Sequence, residues 1–336
     1  MTTVAAVDCG TNSIRLLVAE VGADGGLVEL HRDTRIVRLG QGVDATGRFD
    51  PAALDRTFAA CDEYAQVLAE HRPAALRFIA TSATRDAKNR EEFFAGVRDR
   101  LGVTPEVITG DEEARLSFLG AATGVEAAAR VPVQPPYLVM DLGGGSTELV
   151  LGGGGEGATS VESALSVEAA LSMDIGSVRL TERFLHTHDH DGAPEPAAVA
   201  AARAEVDTWY DRARTTVDTS RARTLVGVAG TLTTLTAAVL DLPAYDRAQV
   251  HGAHLPIDAL QHTVDAFLRM DRAARQALSY LHPGRVDVIP AGALILGRLV
   301  ERLQTDVEAA GGTLTIVTSE SDILDGTAMD LVSSVS

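Results

Sequence analysis

Asp8 closes the apolar run Val4–Val7 and is followed by a small polar loop, Cys9-Gly10-Thr11-Asn12-Ser13, and a second apolar run, Ile14–Val21. Asp141 closes Leu138-Val139-Met140 in the same way and is followed by Leu142-Gly143-Gly144-Gly145-Ser146 and then Thr147–Leu151. Glycine-rich loops between strands present successive backbone N–H groups to phosphate oxygens. Two of them at matched places can clamp a phosphate, and the pair outweighs the alternative that the glycines only make tight hairpin turns. A third loop, Gly227-Val228-Ala229-Gly230-Thr231, follows an apolar run and opens a helical pattern. Gly230 and Thr231 there would add a helix N-terminus to an anion site.

Asp8, Asp141 and Glu148 are the metal candidates. Hard carboxylates of this kind hold Mg²⁺ while substrate phosphates complete its octahedron. The alternative for each aspartate is a turn-capping side chain. Glu148 falls inside a strand pattern, where an acidic group needs solvent or a cation. Asp111-Glu112-Glu113 opens a further helical pattern. These three acids serve either to complement the helix dipole or to orient a water for in-line attack, and the pattern does not choose among them. On the cationic side, Arg15 follows the first loop, Arg35 and Arg38 fall on an expected strand, and Arg85 and Lys88 flank Thr81-Ser82. Arginine suits forked phosphate contacts, and Arg15 and Arg85 are the favoured pair. His186, His188 and His190, with Asp189 and Asp191, lie in a Gly/Pro-bearing stretch that reads as a solvated loop rather than a metal site. Cys9 reads as a small packing residue.

The elements that must position these groups alternate. The two hairpins look like one unit used twice. Between them, Pro51–Glu70 has helical spacing and Leu76–Ala80 reads as a strand. Thr81-Ser82 reads as the cap of a helix through Asn89, Phe93 and Val97. Glu106–Ile108 reads as a strand, and Gly110 leads into a helix. Further on, Ala197–Ser220 reads as a long helix and Thr224–Val228 as a strand, with a helix from Gly230-Thr231 through Leu240. Ile257–Leu268, Arg272–Leu278 and Pro290–Leu303 read as helices, Leu314–Val317 as a strand and Asp322–Val332 as a closing helix. Strand–helix alternation of this kind implies α/β layering.

Length and charge bound the rest. With 336 residues, the chain has room for two domains. A formal net charge of −18 argues against a duplex-DNA or membrane-surface binder, both of which need basic faces. The acidic excess lies mainly in residues 101–200 and 301–336. Lys88 is the only lysine and lies outside any GxxxxGK[ST] pattern, which excludes a P-loop NTPase. No secretory signal or bilayer-length apolar run is evident. Two cysteines point to a reducing cytoplasm.

The segments AAVDCGTNSIRLLVAEV, FIATSATRDAKNREEF, VITGDEEARLSFLGA, LVMDLGGGSTELVLG, VGVAGTLTTLTA and RVDVIPAGALIL resemble, in order, the motifs of the exopolyphosphatase/guanosine-pentaphosphatase family. The resemblance implies two actin-like (RNase-H-like) domains of the actin/Hsp70/sugar-kinase superfamily with an interdomain cleft. Their expected boundaries are 1–124, with the closing helix at about 322–336 packing back on it, and 125–321. It further implies that Glu113, directly before Ala114-Arg115, is the catalytic glutamate that aligns the attacking water. It makes Asp141 and Glu148 the metal-associated acids. Gly143, Gly144, Gly145 and Ser146, with Gly10, Thr11, Asn12 and Ser13, become the phosphate loops, and Arg85 and Asn89 match a further motif.

The implied activity is metal-dependent hydrolysis of the terminal phosphate of inorganic polyphosphate, with Mg²⁺ and, as a substitute, Mn²⁺. Guanosine pentaphosphate (pppGpp) is the alternative substrate. A kinase-type phosphotransferase and a non-catalytic phosphate-binding regulator are more distant readings. Guanosine or adenosine nucleotides are the other partners the resemblance admits, and homodimers are common in that family. The chain departs from the family pattern at Asp322-Ile323-Leu324-Asp325-Gly326, where many members carry Gly-Leu-Arg-Glu-Gly. A cationic contact is missing there.

Overall fold

The structure, a computed structural model, describes residues 2–22, 26–153, 166–185 and 192–335. The chain divides into two compact units, Met1–Gly120 with Ile323–Ser336, and Ala121–Asp322.

Unit 1 is built on a five-stranded mixed sheet. Strands β1 (Thr3–Cys9), β2 (Ser13–Val21), β3 (Leu27–Ile36), β4 (Ala75–Ala80) and β5 (Glu106–Val107) lie in the order β3-β2-β1-β4-β5. β1 runs antiparallel to β2 and parallel to β4. Its continuous burial from Val4 to Cys9 is that of a central strand covered on both faces. The helices are α1 (Val43–Thr46), α2 (Pro51–His71), α3 (Ser82–Asp86), α4 (Arg90–Leu101) and α5 (Gly110–Ala122). Asp50 caps α2 by accepting from the Ala52 N–H, with Pro51 at the first helical position. The core joins Val7, Ile14, Leu16, Phe78 and Phe93 around Tyr64, whose buried hydroxyl donates to the Ile14 carbonyl at 2.9 Å.

Unit 2 repeats the plan. Strands β6 (Tyr137–Leu142), β7 (Thr147–Gly152), β8 (Val167–Met173), β9 (Thr224–Val228) and β10 (Thr315–Thr318) lie in the order β10-β9-β6-β7-β8, the unit 1 order strand for strand. Its helices are α6 (Val125–Ala128), α7 (Ser177–Leu180, continued by a π-helical turn Thr181–Leu185), α8 (Pro196–Ala213), α9 (Ala229–Val239), α10 (Arg247–Val250), α11 (Ile257–Arg269), α12 (Arg272–Gln276) and α13 (Ile289–Ala309). α13 is buried along most of its length and forms the centre of this unit's core.

The last helix, α14 (Ile323–Val335), belongs to unit 1. Leu324 and Ala328 pack on Ala6, Leu17 and Ala19. Gly326 is required by proximity: a Cβ there would stand 1.9 Å from the Leu116 carbonyl oxygen of α5. Arg32 forks onto Asp325 at 2.6 and 3.2 Å, and Asp330 accepts from Arg77 and Arg115 at 2.7 Å each. The segment where the family's arginine is missing thus docks through a carboxylate onto Arg32.

Three expectations change in detail. The helix expected from Thr81 through Val97 is two helices, α3 and α4, and the Thr81 side chain makes no cap hydrogen bond. Arg38 lies beyond β3, at φ 51°, not on a strand. The long helix from Ala197 ends at Ala213, and a 3₁₀ turn at Thr219–Arg221 precedes β9. The residues His186, His188, Asp189, His190 and Asp191 lie outside the described residues.

Candidate active site

The two hairpins are built on one register. Asp8 stands opposite Arg15 across β1 and β2, and Asp141 stands opposite Glu148 across β6 and β7. Both loops close with the same hydrogen bond, Gly10 N–H to Ser13 O at 2.9 Å and Gly143 N–H to Ser146 O at 3.0 Å. The chemistry then diverges at one position. In unit 1 the partner is a cation, and Arg15 donates to Asp8 Oδ2 from Nε at 3.0 Å and Nη2 at 2.6 Å. The two residues expected to hold metal and phosphate are therefore engaged with each other. In unit 2 the partner is a second carboxylate, and like charges directly opposite in a sheet are destabilising.

Glu148 is 1% exposed and Asp141 7%, so bulk solvent does not screen them. Ser172, opposite Glu148 on β8, donates to Glu148 Oε1 at 2.7 Å. Two adjacent buried oxygen acids, one oriented by a hydroxyl, fit a hard divalent cation that keeps open positions for phosphate oxygens. No group of three or more His, Cys, Asp or Glu side chains is assembled among the described residues. Within unit 2 the donor set is the Asp141–Glu148 pair.

Glu113 lies in the first turn of α5, which Thr109 starts by accepting from the Glu112 N–H on Oγ1 and from the Glu113 N–H on its carbonyl. The Glu113 side chain is 10% exposed and accepts from Arg85 Nη1 at 2.7 Å. The same nitrogen donates to the Ile108 carbonyl at 3.0 Å, so Arg85 joins α3 to the start of α5. Of the other two acids, Glu112 is exchanged between Arg115 and Arg77. The hydrogen bond from Arg115 holds its carboxyl below the usual range, with Arg77 adding to it. Glu112 is thereby committed to the network that docks α14.

In the first loop, Thr11 and Ser82 share a hydrogen bond at 3.0 Å, and Asn12 Oδ1 is buried with no protein hydrogen-bond partner among the described residues. Asn89 holds Phe49, accepting from its N–H at 2.8 Å, which is a structural post. Arg35 is occupied by Asp33 and Glu63 at the surface. Burial pushes the Cys9 thiol well above its ordinary value, with Cys61 and Asp8 adding to the effect. That makes it a packing residue and not a thiolate nucleophile. In unit 2, Gly230 and Thr231 lie in the first turn of α9, after Ala229 at φ 68°.

Three residues with no assigned role in the sequence stand at these loops. Ser172 orients Glu148. Arg179 donates from Nε to the Gly145 carbonyl at 2.8 Å. Arg285 reaches the Gly230 carbonyl from Nη1 at 3.4 Å. Arg285 lies in the RVDVIPAGALIL segment, so its motif was legible but its contact was not. Nothing in the local pattern marks Ser172 or Arg179.

Two copies of a sheet in the order 3-2-1-4-5, each carrying a strand–Asp–loop–strand hairpin, define the actin/Hsp70/sugar-kinase-like class of fold. Residues 17–314 match the Ppx/GppA phosphatase family, and the chain belongs to it. It is 46% identical to Exopolyphosphatase 2 of Mycobacterium tuberculosis, over 98% of this chain and 99% of that protein. Among solved structures, it is similar to an exopolyphosphatase-like protein, with a TM-score of 0.92 and 46% identity over 99% of this chain and 98% of the other. It is also similar to the Ppx/GppA family member of Aquifex aeolicus, with a TM-score of 0.72 and 29% identity over 99% and 97% of the two chains.

Proposed function

We propose that this chain is an exopolyphosphatase, which hydrolyses the terminal phosphoanhydride of inorganic polyphosphate and releases orthophosphate. The observation that carries this reading is the near full-length likeness to the mycobacterial exopolyphosphatase at 46% identity. The site residues supply a matching chemistry. The loops Gly10–Ser13 and Gly143–Ser146 bind phosphate oxygens through backbone N–H groups. Gly230 and Thr231, at the start of α9, add helix-terminal donors.

Glu113 accepts a hydrogen bond from the attacking water and takes its proton as the water's oxygen attacks the terminal phosphorus, while the bridging oxygen leaves with the shortened chain. Arg85 holds the Glu113 carboxylate in place. Asp141 and Glu148 hold Mg²⁺, or Mn²⁺ in its stead. When bound, the ion supplies charge neutralisation at the phosphates. Positioning and electrostatics provide most of the acceleration, because phosphoryl transfer asks little covalent help of the protein. Asp8, paired with Arg15, keeps the first hairpin in shape and is not assigned to the ion.

No helix among the described residues is long and apolar enough to cross a membrane. Both cysteines are buried free thiols, which accords with the cytoplasmic location we assign.

The test is phosphate release from polyphosphates of defined length and from pppGpp, with and without Mg²⁺. Mg²⁺-dependent release favouring polyphosphate supports the reading. Release from pppGpp alone would replace the substrate, and transfer to an acceptor in place of water would replace the reaction class.

A further inference from the structure

Each loop has a second feature behind it. A trans peptide group points its C=O and the next residue's N–H in opposite directions. A device that captures successive loop carbonyls therefore fixes where the loop N–H groups face. In unit 2 the segment just after β8 does this. Gly143 O accepts from the Ser177 N–H at 3.0 Å, and Gly144 O accepts from the Val178 and Arg179 N–H groups at 2.8 and 3.1 Å. Gly145 O accepts from Arg179 Nε at 2.8 Å. Three consecutive carbonyls are held on one side, so the N–H groups of Gly144, Gly145 and Ser146 are turned to the other. None of those three N–H groups donates to another described residue. Gly176 lies flat against the loop, where a Cβ would stand 2.5 Å from Gly144 C and O and 2.6 Å from Gly145 N.

Unit 1 has the same device at the same topological place, just after its third strand. Thr11 O accepts from the Gly40 N–H at 2.8 Å, and Asn12 O accepts from the Val37 and Arg38 N–H groups at 3.1 and 2.9 Å. Gly40 is again pressed on the loop, with a Cβ position 2.3 Å from Thr11 Cγ2. The two clamps differ in extent: unit 1 holds two loop carbonyls, both through backbone donors, whereas unit 2 holds three. At the carbonyl before the loop serine, unit 1 uses two backbone donors and unit 2 uses the Arg179 side chain.

We propose that the segments Val37–Gly40 and Gly176–Arg179 are backbone clamps that aim the loop N–H groups at bound phosphate, and that Arg179 is a positioning residue for the unit 2 loop. The proposed role is distinct from charge attraction, because Arg179 Nε acts on a carbonyl of the loop. The inference rests on the loops being phosphate sites, as argued above, and it deepens that reading.

The experiment compares wild type with Arg179→Lys, Arg179→Met, Gly176→Ala, Gly40→Ala and the double variant Gly40→Ala/Thr11→Ser. Two readouts are steady-state polyphosphate hydrolysis and ¹⁵N amide shifts of Gly144, Gly145 and Ser146 on adding inorganic tripolyphosphate in EDTA. Loss of one charge-assisted hydrogen bond predicts a KM raised about tenfold in Arg179→Met. Turnover should change much less, Arg179→Lys should be intermediate, and the tripolyphosphate-induced shifts should be reduced. Gly176→Ala should do the same, having only backbone to displace. Gly40→Ala should be relieved by Thr11→Ser, which removes the clashing methyl and keeps the hydroxyl. Unchanged KM and amide shifts in the Arg179 and Gly176 variants, with at most a lower melting temperature, would overturn the clamp. Wild type that neither shifts nor releases phosphate would instead overturn the functional reading on which the clamp rests.

Discussion

Arg85 donates from Nη1 to Oε2 of Glu113 at 2.7 Å, and that one contact ties the proposed base to a neighbouring helix. Glu113→Gln keeps the shape but removes the proton acceptor, so turnover should fall by at least about 10²-fold. Arg85→Met should lower turnover and raise KM together, because it loosens the base and removes a cation. Steady-state kinetics on a polyphosphate of fixed length checks both. Near-normal turnover in Glu113→Gln would remove it from the reaction.

The carboxylate pair of unit 2 predicts a metal phenotype. Glu148→Gln, and to a lesser degree Ser172→Ala, should raise the Mg²⁺ concentration for half-maximal activity, with losses on the order of 10–100-fold for an oriented ligand shell. A Mg²⁺ titration of activity reads this directly. An unchanged half-point in Glu148→Gln would take that residue out of the ion's shell.

The matching pair of unit 1 predicts the opposite separation. Asp8→Asn takes the Asp8 carboxylate away from the largely buried Arg15, and breaking a buried ion pair from one side costs about 3 kcal/mol. Urea unfolding should show that loss, while the Mg²⁺ half-point of the residual activity stays at the wild-type value. A shifted half-point would return Asp8 to the ion.

Acid should weaken the segment that carries Arg285. His282 Nδ1 accepts from the Gly284 N–H at 3.0 Å, which only an unprotonated Nδ1 can do. Burial lowers its pKa below the usual value, and Arg285 adds to this. The folded state thus favours the neutral ring, and its contribution is fully present above about pH 6.5. It is lost as pH falls below that value and through the folded pKa. His282→Asn retains an acceptor, so its urea midpoint should fall less than that of wild type between pH 7.5 and 5. Equal falls would rule this histidine out as a source of acid sensitivity.

Gly326→Ala should be among the most damaging single-methyl changes in the chain. The added carbon would sit 1.9 Å from a backbone oxygen of α5, and overpacking of this kind costs about 1–3 kcal/mol. Part of the strain should move α5, so activity should fall along with the melting temperature. A variant with wild-type stability and turnover would show that the α5–α14 contact is slack.

The hairpins were legible because their signal is local: an apolar run, an acid, a small loop and a second run, twice. Their equivalence in register, Asp8 to Arg15 and Asp141 to Glu148, follows from equal spacing in the sequence. What Arg15 and Glu148 do with their partners needs the sheet. The third strand of unit 2 and the segment behind its loop were not legible, since Val167–Met173 lacks a clean alternation of burial and Gly176–Arg179 acts by backbone contact. The split between α3 and α4 was hidden because Thr81–Val97 keeps helical spacing across the break. Glu113 stood level with Asp111 and Glu112 on pattern alone. Family resemblance separated it, and the structure adds a reason, since Glu112 is drawn into the salt-bridge network of the last helix.

That last helix has a consequence for how the molecule is made. Unit 2 is one continuous stretch of chain, Ala121–Asp322, whereas unit 1 is interrupted by it. A ribosome that has finished the first 120 residues has not yet made the element that packs on Ala6, Leu17 and Leu116. Unit 2 can complete its sheet as it emerges. Unit 1 must wait some two hundred residues for Leu324, Asp325 and Gly326. The helix that carries Glu113 therefore acquires its final support only after the whole of unit 2 has been made, and hydrolytic competence waits on residues some two hundred positions further along the chain.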